Sequence, residues 1–190
     1  MACYHHETTD SGQTLKLSER YFASAYILEA NTGGDGINTA VSQAADELDR
    51  IIAGSNRSTR RRLKNAARQL DIALRKHNWT AENELSDRRG IRVFSNVGNA
   101  LNQIEKIADA RRVSPALKAE LDAVSTALLD ILRLLAENRI TQAETAEGNS
   151  RKIKRARNSL IQADNDRRRD WLRSAARRYG TAWNLAKSAH

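Results

Sequence analysis

The sequence predicts an all-α protein: an antiparallel bundle of about five to seven helices with a long basic helix at its C-terminal end. Composition is the first reason. Ala, Leu and Arg are abundant, only 5% of residues are aromatic, and there is one proline in 190 residues. Such usage favours helices. The second is that β-branched residues do not cluster, so strands have little to build from. The third is periodicity: apolar residues recur every three or four positions in successive segments, which short Gly, Asn and Ser turns separate. A chain of this length suits one domain, or a small domain with a helical appendage, and buries a core without metal or disulfide staples. The expected division is a mobile tail over 1–14, a helical bundle over 15–147 and a basic segment over 148–190 that packs on the bundle or extends from it.

Each element follows in chain order. A first helix starts at Leu17-Ser18, with Ser18 as its N-cap and Tyr21, Phe22, Ala25, Ile27 and Leu28 as its apolar surface. The stretch 31–36, Asn-Thr-Gly-Gly-Asp-Gly, is a turn. It lacks the Lys-Ser/Thr pair of a phosphate-binding loop, and Asp35 would repel the ligand. A helix over 37–53 carries the seam Ile37, Val41, Ala44, Leu48, Ile51. The next, over about 58–77, carries Leu63, Ala67, Leu70, Leu74 and His77. Residues 80–111 read as two helical pieces divided near Gly90, with Thr80 capping the first. Ser114-Pro115 is the clearest start signal, a capping residue followed by proline at the first helical position. From it runs the strongest seam, Leu117, Leu121, Val124, Leu128, Ile131 and Leu135. Such a seam is a core or an oligomer contact. Gly148-Asn149-Ser150 breaks the pattern, Ser150 caps the final helix, and Gly180 kinks or ends it.

Charge gives the functional direction. Residues 148–190 hold twelve Lys and Arg against Asp164, Asp166 and Asp170, an excess of nine that equals the formal charge of the whole chain. On a helical wheel over 150–179, Ile153, Ala156, Leu160, Ala163, Trp171 and Ala175 fall on one side. Arg151, Arg155, Arg169, Arg173 and Arg177 fall opposite, a line of ~39 Å at the helical rise per residue. The helix from Arg57 repeats the design, with Arg57, Arg61, Lys64, Arg68 and Arg75 across from its seam. Rows of guanidiniums match phosphate oxygens, because each donates two parallel hydrogen bonds. The implied partner is a nucleic acid held by its phosphate backbone, with strong salt dependence and little base preference. Trp171, Tyr179 and Trp183 lie among these arginines and are candidates for base stacking, although the wheel puts Trp171 on the core side. The acidic stretches 1–56 and 115–147 offer a competing use of the cations, as partners inside the bundle or across a subunit contact. A membrane surface ranks lower, because the apolar side of the basic helix is mostly alanine.

Within 79–106, Leu85-Ser86, Gly90-Ile91, Val97 and Leu101 have the order of small and apolar positions seen around the turn of a DNA-binding helix-turn-helix. The stretch resembles that motif. The resemblance implies Ser95, Asn96 and Asn99 at base edges and Arg88, Arg89 and Arg92 near phosphates.

Catalytic and metal signals are missing. Cys3 is the only cysteine, and the four histidines lie in tails and at one helix end, so no cofactor and no metal site is expected. No nucleophile elbow, Walker loop or dinucleotide fingerprint occurs, and the chain reads as a non-enzyme. With no secretory signal or spanning stretch in view, the expected location is the cytoplasm or a particle assembled inside a cell. The preferred role is an accessory subunit of a nucleoprotein or packaging complex. The rival is an oligomeric structural protein, as in a phage particle, whose apolar helix faces join copies and whose arginines pair with acidic neighbours. The third reading is a helix-turn-helix regulator.

Overall fold

A computed structural model of the chain describes residues 36–110 and 113–189. The expected tail over 1–14 and the helix from Leu17 lie outside the described residues. The described chain is all-α. Its helices are α1 (Ile37–Gly54), α2 (Arg57–Leu74), α3 (Ile91–Ala108), α4 (Pro115–Thr145), α5 (Ser150–Arg168) and α6 (Leu172–Lys187). A 3₁₀ turn (Lys76–Asn78) and two short strands, β1 (Trp79–Ala81) and β2 (Glu84–Leu85), join α2 to α3.

The helix starts obey local rules. Asn56 accepts from the Thr59 N–H at 3.0 Å and Ser114 from the Leu117 N–H at 3.2 Å. The cap of α5 is Asn149, one residue before the expected Ser150, and it accepts from the Lys152 N–H. Each of these side chains satisfies a donor that the first turn leaves unpaired. At the other end of α1, Arg60 folds back to donate to the carbonyls of Ile52, Ala53 and Ser55.

The helices pack as a row, α2–α3–α6–α5, with α4 behind α3, α6 and α5, and α1 beside α4 against α2. The Leu-rich seam of α4 is therefore core. Leu121, Leu128 and Leu132 are fully buried and Val124, Ile131 and Leu135 nearly so, and Leu117 is partly buried. α3 and α6 run antiparallel and approach closely at Gly98, which lies against Ala176, and at Gly180, which lies against Phe94. Gly180 thus sits inside a continuous α6 and ends nothing.

Two expectations are overturned. Residues 80–89 contain no helix. They form the antiparallel β1–β2 hairpin and a turn, and Thr80 caps nothing helical. The extended form lets this stretch satisfy the ends of two helices. Asn78 and Trp79 donate to the Ile72 and Ala73 carbonyls at the end of α2, while Glu82 and Asn83 accept the first N–H groups of α1.

The long basic helix is the second. The chain turns sharply at Asp170, whose φ of 59° is left-handed. Neither Gly nor Pro marks the place, but Asp tolerates this conformation better than most residues. Doubling back brings Ala156 and Ala163 of α5 and Ala175, Ala176 and Ala182 of α6 into the core, with Ala176 against Gly98 of α3. Folded back, all five are fully buried or nearly so. Asp166, only 5% exposed, ties the corner by accepting from the Ser174 hydroxyl and the Arg178 Nε, both at 2.6 Å.

Candidate nucleic-acid interface

Helix position decides what each cation does. The side of α5 that meets α4 carries Arg157 and Arg167, which pair with Glu144 and Asp130. Arg133 on α4 bridges Glu137 and Asp164, and Arg139 reaches Asp87 at 2.8 Å. Arg178, on the side of α6 that meets α5, holds Asp166 and Gln162. The competing use of arginine as an internal partner is thus real at these five positions.

The nine cations of the predicted phosphate-binding rows lie elsewhere. Arg57, Arg61, Lys64 and Arg68 on α2, Arg151 and Arg155 on α5, Arg169 at the corner, and Arg173 and Arg177 on α6 are all exposed. None forms a salt bridge among the described residues, although the charge of Arg169 acts on the Asp166 carboxyl. Their arrangement differs from two straight rows side by side. The Asp170 corner splits the C-terminal row, so Arg151 and Arg155 sit on one helix and Arg173 and Arg177 on its antiparallel neighbour. The helices α2 and α5 stand at opposite ends of the packed row, with α3 and α6 between them.

Between them, α3 and α6 turn their outer faces away from α4. On α6 the exposed positions are Arg173, Arg177, Thr181 and Asn184. On α3, Arg92 and Ser95 are exposed and Asn96 and Asn99 half-buried. A shallow groove of about 270 Å³ runs between the two, with Ser95 and Arg177 on its rim and Phe94 and Gly180 in its floor. The residues named by the helix-turn-helix resemblance therefore do face outward, but the motif itself is absent. What precedes Gly90 is the β1–β2 hairpin, so no first helix exists to cross a DNA backbone.

The aromatic side chains reverse the wheel reading. Trp171, expected in the core, is 53% exposed at the start of α6, with the Arg169 guanidinium 5.3 Å from its ring centre. The wheel failed here because the helix does not continue through Asp170. The run of polar and charged residues from Asp164 to Asp170, with no apolar position to carry a seam, was the signal available. Tyr179 and Trp183 are buried. Tyr179 donates its hydroxyl to Asp164 at 2.6 Å, and burial followed by that carboxylate pushes the phenol pKa up. Trp183 packs on Phe94, ring centres 6.0 Å apart. Of the three, only Trp171 can offer a face to a base.

Among the described residues no group of three or more His, Cys, Asp or Glu is placed to hold a metal ion, and no helix is long and apolar enough to cross a membrane. Compared with known proteins, the chain matches no family model, no curated protein and no solved structure.

Proposed function

We propose that this protein is a non-enzymatic helical bundle that binds nucleic acid through phosphate-backbone contacts, as a subunit of a nucleoprotein or packaging complex. One observation supports this reading most. On the basic helices α2, α5 and α6, the arginines pointing at α4 or at the α5–α6 seam are paired, and those pointing outward form no salt bridge among the described residues. Cations needed only for internal pairing would not be left over on every outward face. A surface of this kind gains affinity by releasing counterions from the phosphates, which is independent of base sequence. The exposed Trp171, stacked beside Arg169, adds a platform for an unpaired base.

Binding of unrelated DNA and RNA oligonucleotides across a salt series tests the reading. Affinity should fall by roughly a thousandfold or more between 50 and 200 mM salt if six or more phosphates are engaged. Arg169→Glu/Arg173→Glu/Arg177→Glu should weaken binding more than tenfold on both polymers. Binding should also quench Trp171 fluorescence for single strands. Unchanged affinity in the triple variant would remove these arginines from the interface.

A further inference from the structure

A cavity of about 360 Å³ opens where the end of α3, the first half of α4 and the Asp170 corner meet. That volume falls in the range of small-molecule sites, ~300–1,000 Å³. Part of its lining is apolar. Ile104 of α3 and Leu129 of α4 are each 1% exposed, and Leu172 at the start of α6 is half-buried. The rest carries carboxylates: Glu105 and Asp109 at the end of α3, Asp122 on α4 and Asp170 at the corner. This is an acidic lining on a chain whose formal charge is +9.

The cations that line the cavity are already engaged. Lys118 lies 3.8 Å from Asp109, and Arg167 is held by Asp130. Glu105 and Asp170 form no salt bridge among the described residues. Burial first, then the charges of Asp109 and Asp170, push the Glu105 carboxyl pKa up, and Lys106 opposes them. A cation entering the cavity relieves that repulsion. A second feature, independent of charge, also points to a ligand. Ser125 of α4 lines the cavity and is 4% exposed, yet its hydroxyl makes no hydrogen bond to any described residue. A buried hydroxyl left without a partner is costly. On a helix it commonly bonds the carbonyl one turn back, as Ser95 and Thr145 do. The Ser125 oxygen is instead left to whatever fills the cavity.

This lining selects one kind of cation. A metal ion needs several converging oxygens, and no group of three or more ligating side chains is so placed among the described residues. An alkylammonium group is less demanding. Its charged nitrogen has three N–H donors for carboxylate and hydroxyl oxygens, and the carbon chain behind it covers apolar surface such as Ile104 and Leu129. We propose that Glu105, Asp170 and Ser125, which line this one cavity, form a site for an alkylammonium cation, either the end of a linear polyamine or the side chain of a lysine. The site is independent of the outward arginines and of the nucleic-acid reading above.

Isothermal titration calorimetry on the full chain, freed of nucleic acid, tests it. Spermidine and N-acetyl-lysine methylamide are the two probes, and magnesium chloride at matched ionic strength is the control. At least one amine should bind saturably at a single site, and Glu105→Gln/Asp170→Asn should weaken it about tenfold or more. Both substitutions keep the shape of the side chain, and Asn tolerates the left-handed backbone at position 170, so the variant should fold. Ser125→Ala should weaken binding about threefold without lowering the denaturation midpoint, because the hydroxyl has no protein partner to lose. Asp71→Asn, on α2 and outside the cavity, should leave binding unchanged. Tighter binding of spermidine assigns the site to a free polyamine, and tighter binding of the lysine derivative assigns it to a protein neighbour. No saturable heat from either amine, equal affinity for magnesium, or unchanged affinity in the double variant overturns the site.

Discussion

Asp166 shows how one side chain holds a corner. Burial pushes its carboxyl pKa up, but the Ser174 hydroxyl and the Arg178 guanidinium outweigh that and hold it below the ordinary value. A carboxylate with a depressed folded pKa contributes stability that is complete above the unfolded value of about 3.9 and is lost as pH falls through the folded value below it. Asp166→Asn should therefore cost about 1–3 kcal/mol at neutral pH and flatten the acid limb of stability, both readable from urea unfolding at several pH values. Glycine gives a second comparison at this scale. A methyl group on Gly180 would lie 2.9 Å from the Phe94 Cβ, so Gly180→Ala should force α3 and α6 apart and lower stability by about 1–3 kcal/mol. Nothing lies within 4 Å of the equivalent position on Gly54, so Gly54→Ala should be neutral or stabilising by up to about 1 kcal/mol. Thermal or denaturant midpoints of the two variants should move in opposite directions or by plainly different amounts.

The corner at Asp170 is the element on which the shape of the basic region depends. Its left-handed φ tolerates Asn, Asp or Gly, whereas a β-branched side chain clashes there. Asp170→Val should destabilise by about 1–2 kcal/mol, and Asp170→Asn should be close to neutral, as measured by chemical denaturation. Elements of this kind mark the limit of what a sequence reveals. Although the reading of α2 from about 58 passed over Asn56 as its cap, the starts of α1 and α4 were legible, because Ser114-Pro115 and the Ile37 and Leu117 seams act locally. The β1–β2 hairpin was not, since Trp79 and Asn83 adopt it in order to bond the ends of α2 and α1, and those partners are known only after folding. The turn at Asp170 was hidden for the same reason: α6 doubles back to pack on α5, α4 and α3, and those partners are known only after folding. Among the site residues, outward direction was legible from the wheel wherever a helix proved continuous, as on α2.

At the scale of the whole molecule, charge follows packing. The helix α2 carries six bases and one acid, α5 seven and two, and α6 four and none. The helices α1 and α4 carry one base with three acids and three bases with five acids. Among the described residues, base-rich helices thus predominate in the row α2–α3–α6–α5 and the acid-rich α1 and α4 pack against it, with Asp130 and Glu144 of α4 already paired with arginines of α5. This lopsidedness makes each copy an electric dipole. At low ionic strength, with no polyanion to occupy it, the front of one copy attracts the rear of the next. A purified sample dialysed into dilute buffer should then turn cloudy and clear again when salt is restored, and that haze would report head-to-tail attraction between intact molecules rather than loss of the fold.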